Sequence, residues 1–168
     1  MTATLTALRE AMTDFLTGQG LRALSAWPET EALIPAAPLA VVQMKAVEAR
    51  PMGFQNYLGR VYDRQAGQWR ERYGQRITAT FALDLYSPRS AGEEGCRELL
   101  DQAAGAFQTG GPGGLAVESW SMEEPAFDGE SGLFRGRLTA VCQGTLEAVS
   151  DEEGCFLGFI VNGGIQTA

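Results

Sequence analysis

The sequence contains no histidine, and lysine occurs only once, at Lys45. Histidine is the residue that most often serves as a general base, so its absence excludes Ser-His and Cys-His catalysis. It also removes the most common protein ligand of transition metals. Since the residues form no other recognisable catalytic set, we expect that this protein is not an enzyme.

Cysteine is also sparse: Cys96, Cys142 and Cys155 are odd in number and widely spaced, without a C-x-x-C pair. Such cysteines are typical of reduced, buried thiols that pack as small apolar side chains. The glycine-rich run 110–114 lacks the Lys-Ser/Thr of a phosphate-binding loop, and the acids of 123–130 lack EF-hand spacing. The sequence therefore predicts no cofactor and no metal site.

No apolar run reaches the roughly 18 residues that a membrane helix needs, and the N-terminus lacks a signal-peptide pattern. We therefore expect a protein that is made in a cytoplasm and has no membrane partner. The net charge of -8 disfavours nucleic acid as a partner, because phosphate binding needs concentrated positive charge. The length of 168 residues predicts one α+β domain, 1–168, in which 162–168 form a loose tail.

The charge that is present is divided along the chain. Between Lys45 and Arg76 seven basic residues stand against three acidic ones, whereas nine acids from Glu118 onward stand against two arginines. This division suits head-to-tail contacts, in which the basic part of one copy meets the acidic edge of the next. An unevenly charged, solvated surface is the alternative interpretation.

Hydrophobic periodicity predicts an α+β fold: a mostly antiparallel sheet with two helices packed on one face and a projecting β-hairpin arm. Amphipathic patterns predict helices at 4–17, capped by Thr4, and at about 91–108, capped by Ser90. Residues 123–132 are predicted as a turn, and Ala46 is predicted to share a face with Met44. An ambiguous segment at 21–27 is followed by predicted strands at 39–48, 54–62, 69–86, 115–122, 133–149 and 155–161.

The arm is predicted from the stretch between Trp69 and Tyr86. Its second half alternates apolar and polar residues from Ile77 onward, as a half-buried strand does. Its first half keeps strand-forming aromatics but carries charge on both faces. Because so long a strand cannot be covered along its whole length by so small a domain, we expect 54–86 to form a hairpin that projects and touches a neighbour.

In this order of elements the chain resembles the tail terminator (tail completion) proteins of long-tailed bacteriophages and related contractile particles. The resemblance covers about residues 4–150, and the segment after Asp151 departs from the pattern. It is carried by the N-terminal helix, the Pro38-flanked strand Leu39–Glu48, the arm Phe54–Arg76, and Ile77–Tyr86 leading into the helix Cys96–Phe107. A related neck protein of a phage tail-like particle fits the same order.

The resemblance implies a homo-oligomeric, hexameric ring that caps the tail tube, with tube, sheath and neck or connector proteins as partners. It also implies a place in the virion tail, after assembly in the cytoplasm of the bacterial host. If such rings form, the candidate residues on the arm are Arg60, Arg64, Trp69, Arg70 and Arg72. The candidate residues facing them on the next copy are Glu123, Glu124, Asp128 and Glu130.

Two other functions remain open at the level of sequence. A small-ligand-binding or accessory domain of a bacterial complex could use a groove lined by Trp69, Tyr73, Tyr86 and Trp120. An enzyme that uses only carboxylates, tyrosine or cysteine is the other alternative. Adjacent acids such as Glu123 and Glu124 would point to opposite faces of a strand, which is poor geometry for cooperation between an acid and a base.

Overall fold

The computed structural model describes residues 7–27, 35–52, 54–150 and 156–162. The predicted Thr4 cap, Cys155, the turn at 151–154 and the tail after Asn162 lie outside this part of the chain. The helices are α1 (Leu8–Gly18) and α2 (Gly92–Thr109). The strands are β1 (Ala23–Leu24), β2 (Leu39–Pro51), β3 (Tyr57–Asp63), β4 (Gln68–Ser87), β5 (Ala116–Asp128), β6 (Leu133–Ser150) and β7 (Phe156–Asn162).

The seven strands of the described residues join one sheet, in the order β1-β2-β4-β6-β5. β3 pairs with β4 on the edge that β2 also uses, and β7 pairs with β6 on the edge that β5 also uses. Neighbouring strands are antiparallel, except that β1 runs parallel to β2. Two helices on a mostly antiparallel sheet confirm the predicted α+β fold.

The core lies between the helices and one face of the sheet. Every second residue of β4 from Ile77 to Leu85 is fully buried there, as the period-two pattern predicts. The helices contribute their apolar stripes, which include Leu8, Met12 and Leu16 of α1 and Cys96, Leu99, Leu100, Ala103, Ala106 and Phe107 of α2. Burying one large apolar side chain contributes about 1.5–3 kcal/mol, so these rows hold the two layers together.

Local details correct three of the predictions. α2 begins after Ala91 without a side-chain cap, so Ser90 is not the cap. A β-bulge at Lys45 shifts the alternation of β2, and Val47 rather than Ala46 packs against the core. β3 begins three residues later than predicted, because residues 54–56 form a short 3-10 turn with positive φ at Gln55 and Asn56.

β5 is longer than predicted. The strand continues through Glu123 and Glu124 to Asp128, and only residues 129–132 form the turn. A bulge between Glu123 and Ala126 accommodates Pro125, which is buried. Proline is tolerated on an edge strand at a bulge, because no ladder hydrogen bond has to be given up there.

The projecting part of the sheet is wider than the predicted hairpin. The first half of β4 pairs with β3 on one side and with the second half of β6 on the other, and β7 pairs with that half of β6. We define the arm as β3, residues 68–76 of β4, residues 145–150 of β6, and β7. Residues 68–76 alone extend the sheet by about 30 Å. The hairpin is therefore one half of a four-stranded arm.

Candidate assembly interface

The arm extends the sheet past the region that the helices cover. The buried core contains residues of β4 only from Ile77 onward. Because side chains alternate along a strand, Trp69, Glu71 and Tyr73 lie on the same face as Ile77. We call this face of the arm, with Tyr57, Tyr62, Trp69 and Tyr73, the aromatic underside.

Two edge-to-face aromatic pairs make up the aromatic underside. The ring centroids of Tyr57 and Tyr73 are 5.6 Å apart, and those of Tyr62 and Trp69 are 5.4 Å apart. Each pair lies directly opposite across β3 and β4 in the register. Trp69 nevertheless remains 50% exposed and Tyr62 48% exposed. Large, pre-ordered and half-exposed aromatic side chains of this kind are the usual anchors of protein–protein contacts.

The basic residues of the arm mostly find partners in their own chain. Nη2 of Arg60 lies 3.3 Å from Glu71, Nε of Arg70 lies 2.9 Å from Asp63, and Nη2 of Arg72 lies 2.7 Å from Glu147. Ion pairs at so accessible a surface contribute little stability, typically about 0–1 kcal/mol each. Because Arg60, Arg70 and Arg72 each have an acidic partner in the same chain, these arginines do not need a second copy to neutralise them.

Arg64, the fourth candidate arginine, sits in the turn that joins β3 to β4 and is exposed. Asp63 holds this turn together: its carboxylate accepts hydrogen bonds from the backbone N–H groups of Gln65 and Ala66. These bonds, above all the one from Ala66, together with the Arg70 guanidinium lower the pKa of Asp63. The turn therefore presents Arg64 at the end of the arm on an ordered backbone.

The four acidic candidates lie together at the β5–β6 end of the sheet. Glu124 lies 3.2 Å from Arg97 of α2, and Asp128 lies 3.2 Å from Arg135. A hydrogen bond from Ser131, assisted by Arg135, lowers the pKa of Asp128. Glu130 is in the turn after β5.

Glu123 lies on the other side of the strand, opposite Arg137 of β6 in the register. Glu123 and Glu124 therefore face opposite sides of the sheet, as their adjacency predicts. Within the chain, the structure brings neither group of candidates against the other. The predicted contact between arm and acidic edge stays a prediction about two copies.

β5 also carries apolar surface that was not predicted to lie in an interface. Trp120 is 41% exposed and Met122 46% exposed, and in the register they lie opposite Ala140 and Leu138, on the helix side of the sheet. In the described part of the chain, β6 is the strand that pairs with β5, so the outer edge of β5 is open. In the sequence, the alternation of apolar and polar residues in Trp120-Ser121-Met122 could have indicated this apolar edge.

The aromatic groove expected for a small ligand does not form. Trp69 and Tyr73 lie on the aromatic underside, whereas Tyr86 lies on the opposite face, beside Trp27 with ring centroids 5.0 Å apart. A cavity of about 400 Å³ does open beside β2, but Tyr86 is the only one of the four predicted residues in its lining. Its other lining residues are Arg9, Ser25, Ala26, Trp27, Val41, Val42, Gln43 and Met44.

Cys96 and Cys142 are buried free thiols. Burial raises the pKa of Cys96 to about 11 and that of Cys142 to about 12, so both thiols stay protonated at neutral pH. Among the described residues, no three His, Cys, Asp or Glu side chains come together as they would around a metal ion. Neither helix in that part of the chain is long and apolar enough to cross a membrane.

No protein-family model matches this sequence, and no curated protein does. Among solved structures, one similar chain is described as the sheath/tube terminator of an extracellular contractile injection system, PVC, in its extended state, determined by cryo-EM. The two chains share 12% identity with a TM-score of 0.49. The match covers all of this chain but only 65% of the other, so this chain spans less than two thirds of that protein.

Proposed function

We propose that this protein is a structural component of a phage or phage-like tail, in which copies of the chain form a ring. In this proposal the ring caps the tail tube and joins it to the neck or connector proteins, with the sheath as a further neighbour. A hexamer is the expected ring size. The proposal includes a location in the tail of the particle, assembly in the host cytoplasm, and no enzymatic activity.

The observation that carries the proposal is the arm. The four-stranded extension carries two aromatic pairs, in which three of the four rings are 45–50% exposed, and it contributes little to the core of its own chain. Apolar surface of this kind on an extended element is the usual mark of a protein contact. The order of elements that resembles tail terminator proteins supports the choice of a tail over other assemblies.

Two measurements test this function. Mass photometry and negative-stain images of the purified protein should show closed rings of one size. Since some rings close only on their template, purified tail tubes should also be mixed with the protein, and the rings should then lie at one end of each tube. Protein that neither forms rings alone nor binds tube ends would contradict the proposal.

A small-ligand-binding role is the second candidate, because the cavity beside β2 has a volume of about 400 Å³. Pockets that bind small molecules usually lie between about 300 and 1,000 Å³. A thermal-shift screen of metabolites tests this role: a true ligand raises Tm progressively with its concentration. The substitution Trp27→Ala, at the wall of the cavity, should abolish that shift.

A further inference from the structure

We propose that the aromatic underside of one copy docks onto the open edge of β5 in a second copy of the same chain. The inference rests on the proposed function only in so far as that function requires copies of the chain to associate. It gives the head-to-tail contact predicted from the charges an apolar centre, in which Tyr62 and Trp69 of one copy meet Trp120 and Met122 of the next.

Both surfaces are apolar at their centres and unpartnered in the described residues. On the arm, Tyr62 and Trp69 are about half exposed; on the edge, Trp120 and Met122 are 41% and 46% exposed. All four lie on the helix side of the sheet. A centre of aromatic and methionine side chains surrounded by charged ones is the composition typical of protein interfaces.

Charge decides which surface meets which. The arm, with the turn that joins β3 to β4, contains five arginines and three acids (Asp63, Glu71 and Glu147), a net charge of +2. The edge segment 116–132 contains five acids and no basic residue, a net charge of -5. Although most of the arm's arginines are paired within the chain, the summed charge still sets the field that an approaching copy meets.

An arm meeting another arm, or an edge meeting another edge, would bring like charges together. An arm meeting an edge brings opposite charges together, and complementary potentials are what fix partner and orientation. The contact is therefore head-to-tail, and each copy uses one surface as donor and the other as acceptor. A contact of this type leads to a closed ring when the rotation between copies closes.

The size of the arm is adequate for such a contact. Four strands at about 4.8 Å spacing and seven residues at about 3.4 Å per residue give a face of roughly 450 Å² in projection. A stable interface buries about 800 Å² of accessible surface on each partner. The accessible area of the face exceeds its projection because side chains rise from it, so the arm can supply a large part of such an interface.

Mixing two variants tests the direction of the contact. Trp69→Glu should disable the arm, and Trp120→Glu should disable the edge. Each variant alone should associate at least about 30-fold more weakly than the wild type, the size expected for a central aromatic anchor. In an equimolar mixture one intact arm and one intact edge remain, so a 1:1 heterodimer should appear in analytical ultracentrifugation. Rings should not appear.

Matched controls separate this contact from general effects of the added charge. Val61→Glu places the same charge on the opposite face of the arm, where Val61 is 43% exposed. On β5, Ser121→Glu does so: Ser121 is exposed and lies opposite Thr139, on the face away from the helices. Both should associate as the wild type does. The double variant Trp69→Glu/Trp120→Glu should pair with neither single variant. Circular dichroism and Tm should show that every variant is folded.

Three results would overturn the docking: a mixture that stays monomeric, loss of association in Val61→Glu but not in Trp69→Glu, or wild-type protein that is monomeric up to about 100 µM. The tube-end assay is independent of these results. A heterodimer that forms without binding to tubes would support the docking and contradict the tail function. Binding to tube ends without a heterodimer would support the tail function and contradict the docking.

Discussion

The cross-strand ion pair between Asp84 and Arg137 gives the sharpest test of the structure. Nε of Arg137 donates a hydrogen bond of 2.7 Å to Asp84, and this bond raises the pKa of Arg137. The side chain of Asp84 is only 7% exposed, and Val41 lies beside it on β2. Replacing Arg137 by methionine keeps an unbranched side chain but leaves a buried carboxylate without its guanidinium.

The cost of Arg137→Met follows from this burial. Two unit charges about 4 Å apart attract by about 4 kcal/mol at an effective dielectric constant near 20. Removing one partner of a fully buried pair costs about 3–5 kcal/mol. Because the side chain of Arg137 is itself 39% exposed, water recovers part of this energy. We therefore expect the free energy of unfolding to fall by about 2–3 kcal/mol.

Urea denaturation at pH 7 and one fixed protein concentration measures this loss. Arg135→Met is the matched control: Arg135 lies two residues away on the same strand, and its pair with Asp128 is more exposed, at 48% and 25%. It should cost clearly less than Arg137→Met, even though Arg135 also lies over the ring of Tyr86, 5.3 Å from its centroid. In the double variant Asp84→Asn/Arg137→Met the buried charge is gone, so it should be more stable than Arg137→Met. Equal losses in the two arginine variants, or additive effects in the double variant, would refute the reasoning.

Three further predictions concern the arm and the core. Asp63 has a lowered pKa in the folded state, so its stabilisation is complete above its unfolded pKa of about 4 and is lost as the pH falls through the folded value. Asp63→Asn should therefore destabilise the protein at pH 7, and urea denaturation should show this difference from the wild type shrinking as the pH is lowered below about 4. In the folded protein Cys96 and Cys142 should resist iodoacetamide at pH 8, and after unfolding they should react. Peptide mass spectrometry measures this labelling. Rapid labelling of either thiol in the folded protein would contradict its burial. Gly74→Ala would place a Cβ in contact with Leu58, 3.2 Å from its Cγ, so Tm should fall by a few degrees. In a Leu58→Ala background this loss of Tm should disappear. Equal losses of Tm in both backgrounds would argue against the contact.

The helices and the central strands could be predicted because their patterns are local. The alternation from Ile77 to Leu85 and the apolar stripe of α2 record directly which side chains meet the core. The ends of β5 could not be predicted in this way. Glu123, Glu124 and Pro125 have low strand propensity, but pairing with β6 and a bulge keep them in the sheet.

The width of the arm depends on residues that are distant in sequence. Arg72 pairs with Glu147, 75 positions away, and no local pattern indicates that the second half of β6 lies beside the first half of β4. The same holds for the intra-chain partners of the arginines, which the uneven charge along the chain did not reveal. The apolar edge at Trp120 and Met122 was visible as alternation, but which of its sides is covered depends on where α2 packs.

Two adjacent strands, β4 and β6, pass from the core into the arm with an unbroken ladder between Glu71 and Ser87. The arm is consequently a rigid continuation of the central sheet, not a segment joined to it by a flexible loop. The direction in which the arm points is set by the twist of the central sheet. If β4 and β6 tilted by about 5° where they leave the core, the end of the arm, some 25 Å away, would move by about 2 Å. Substitutions deep beneath the helices can thereby redirect a distant contact without touching it.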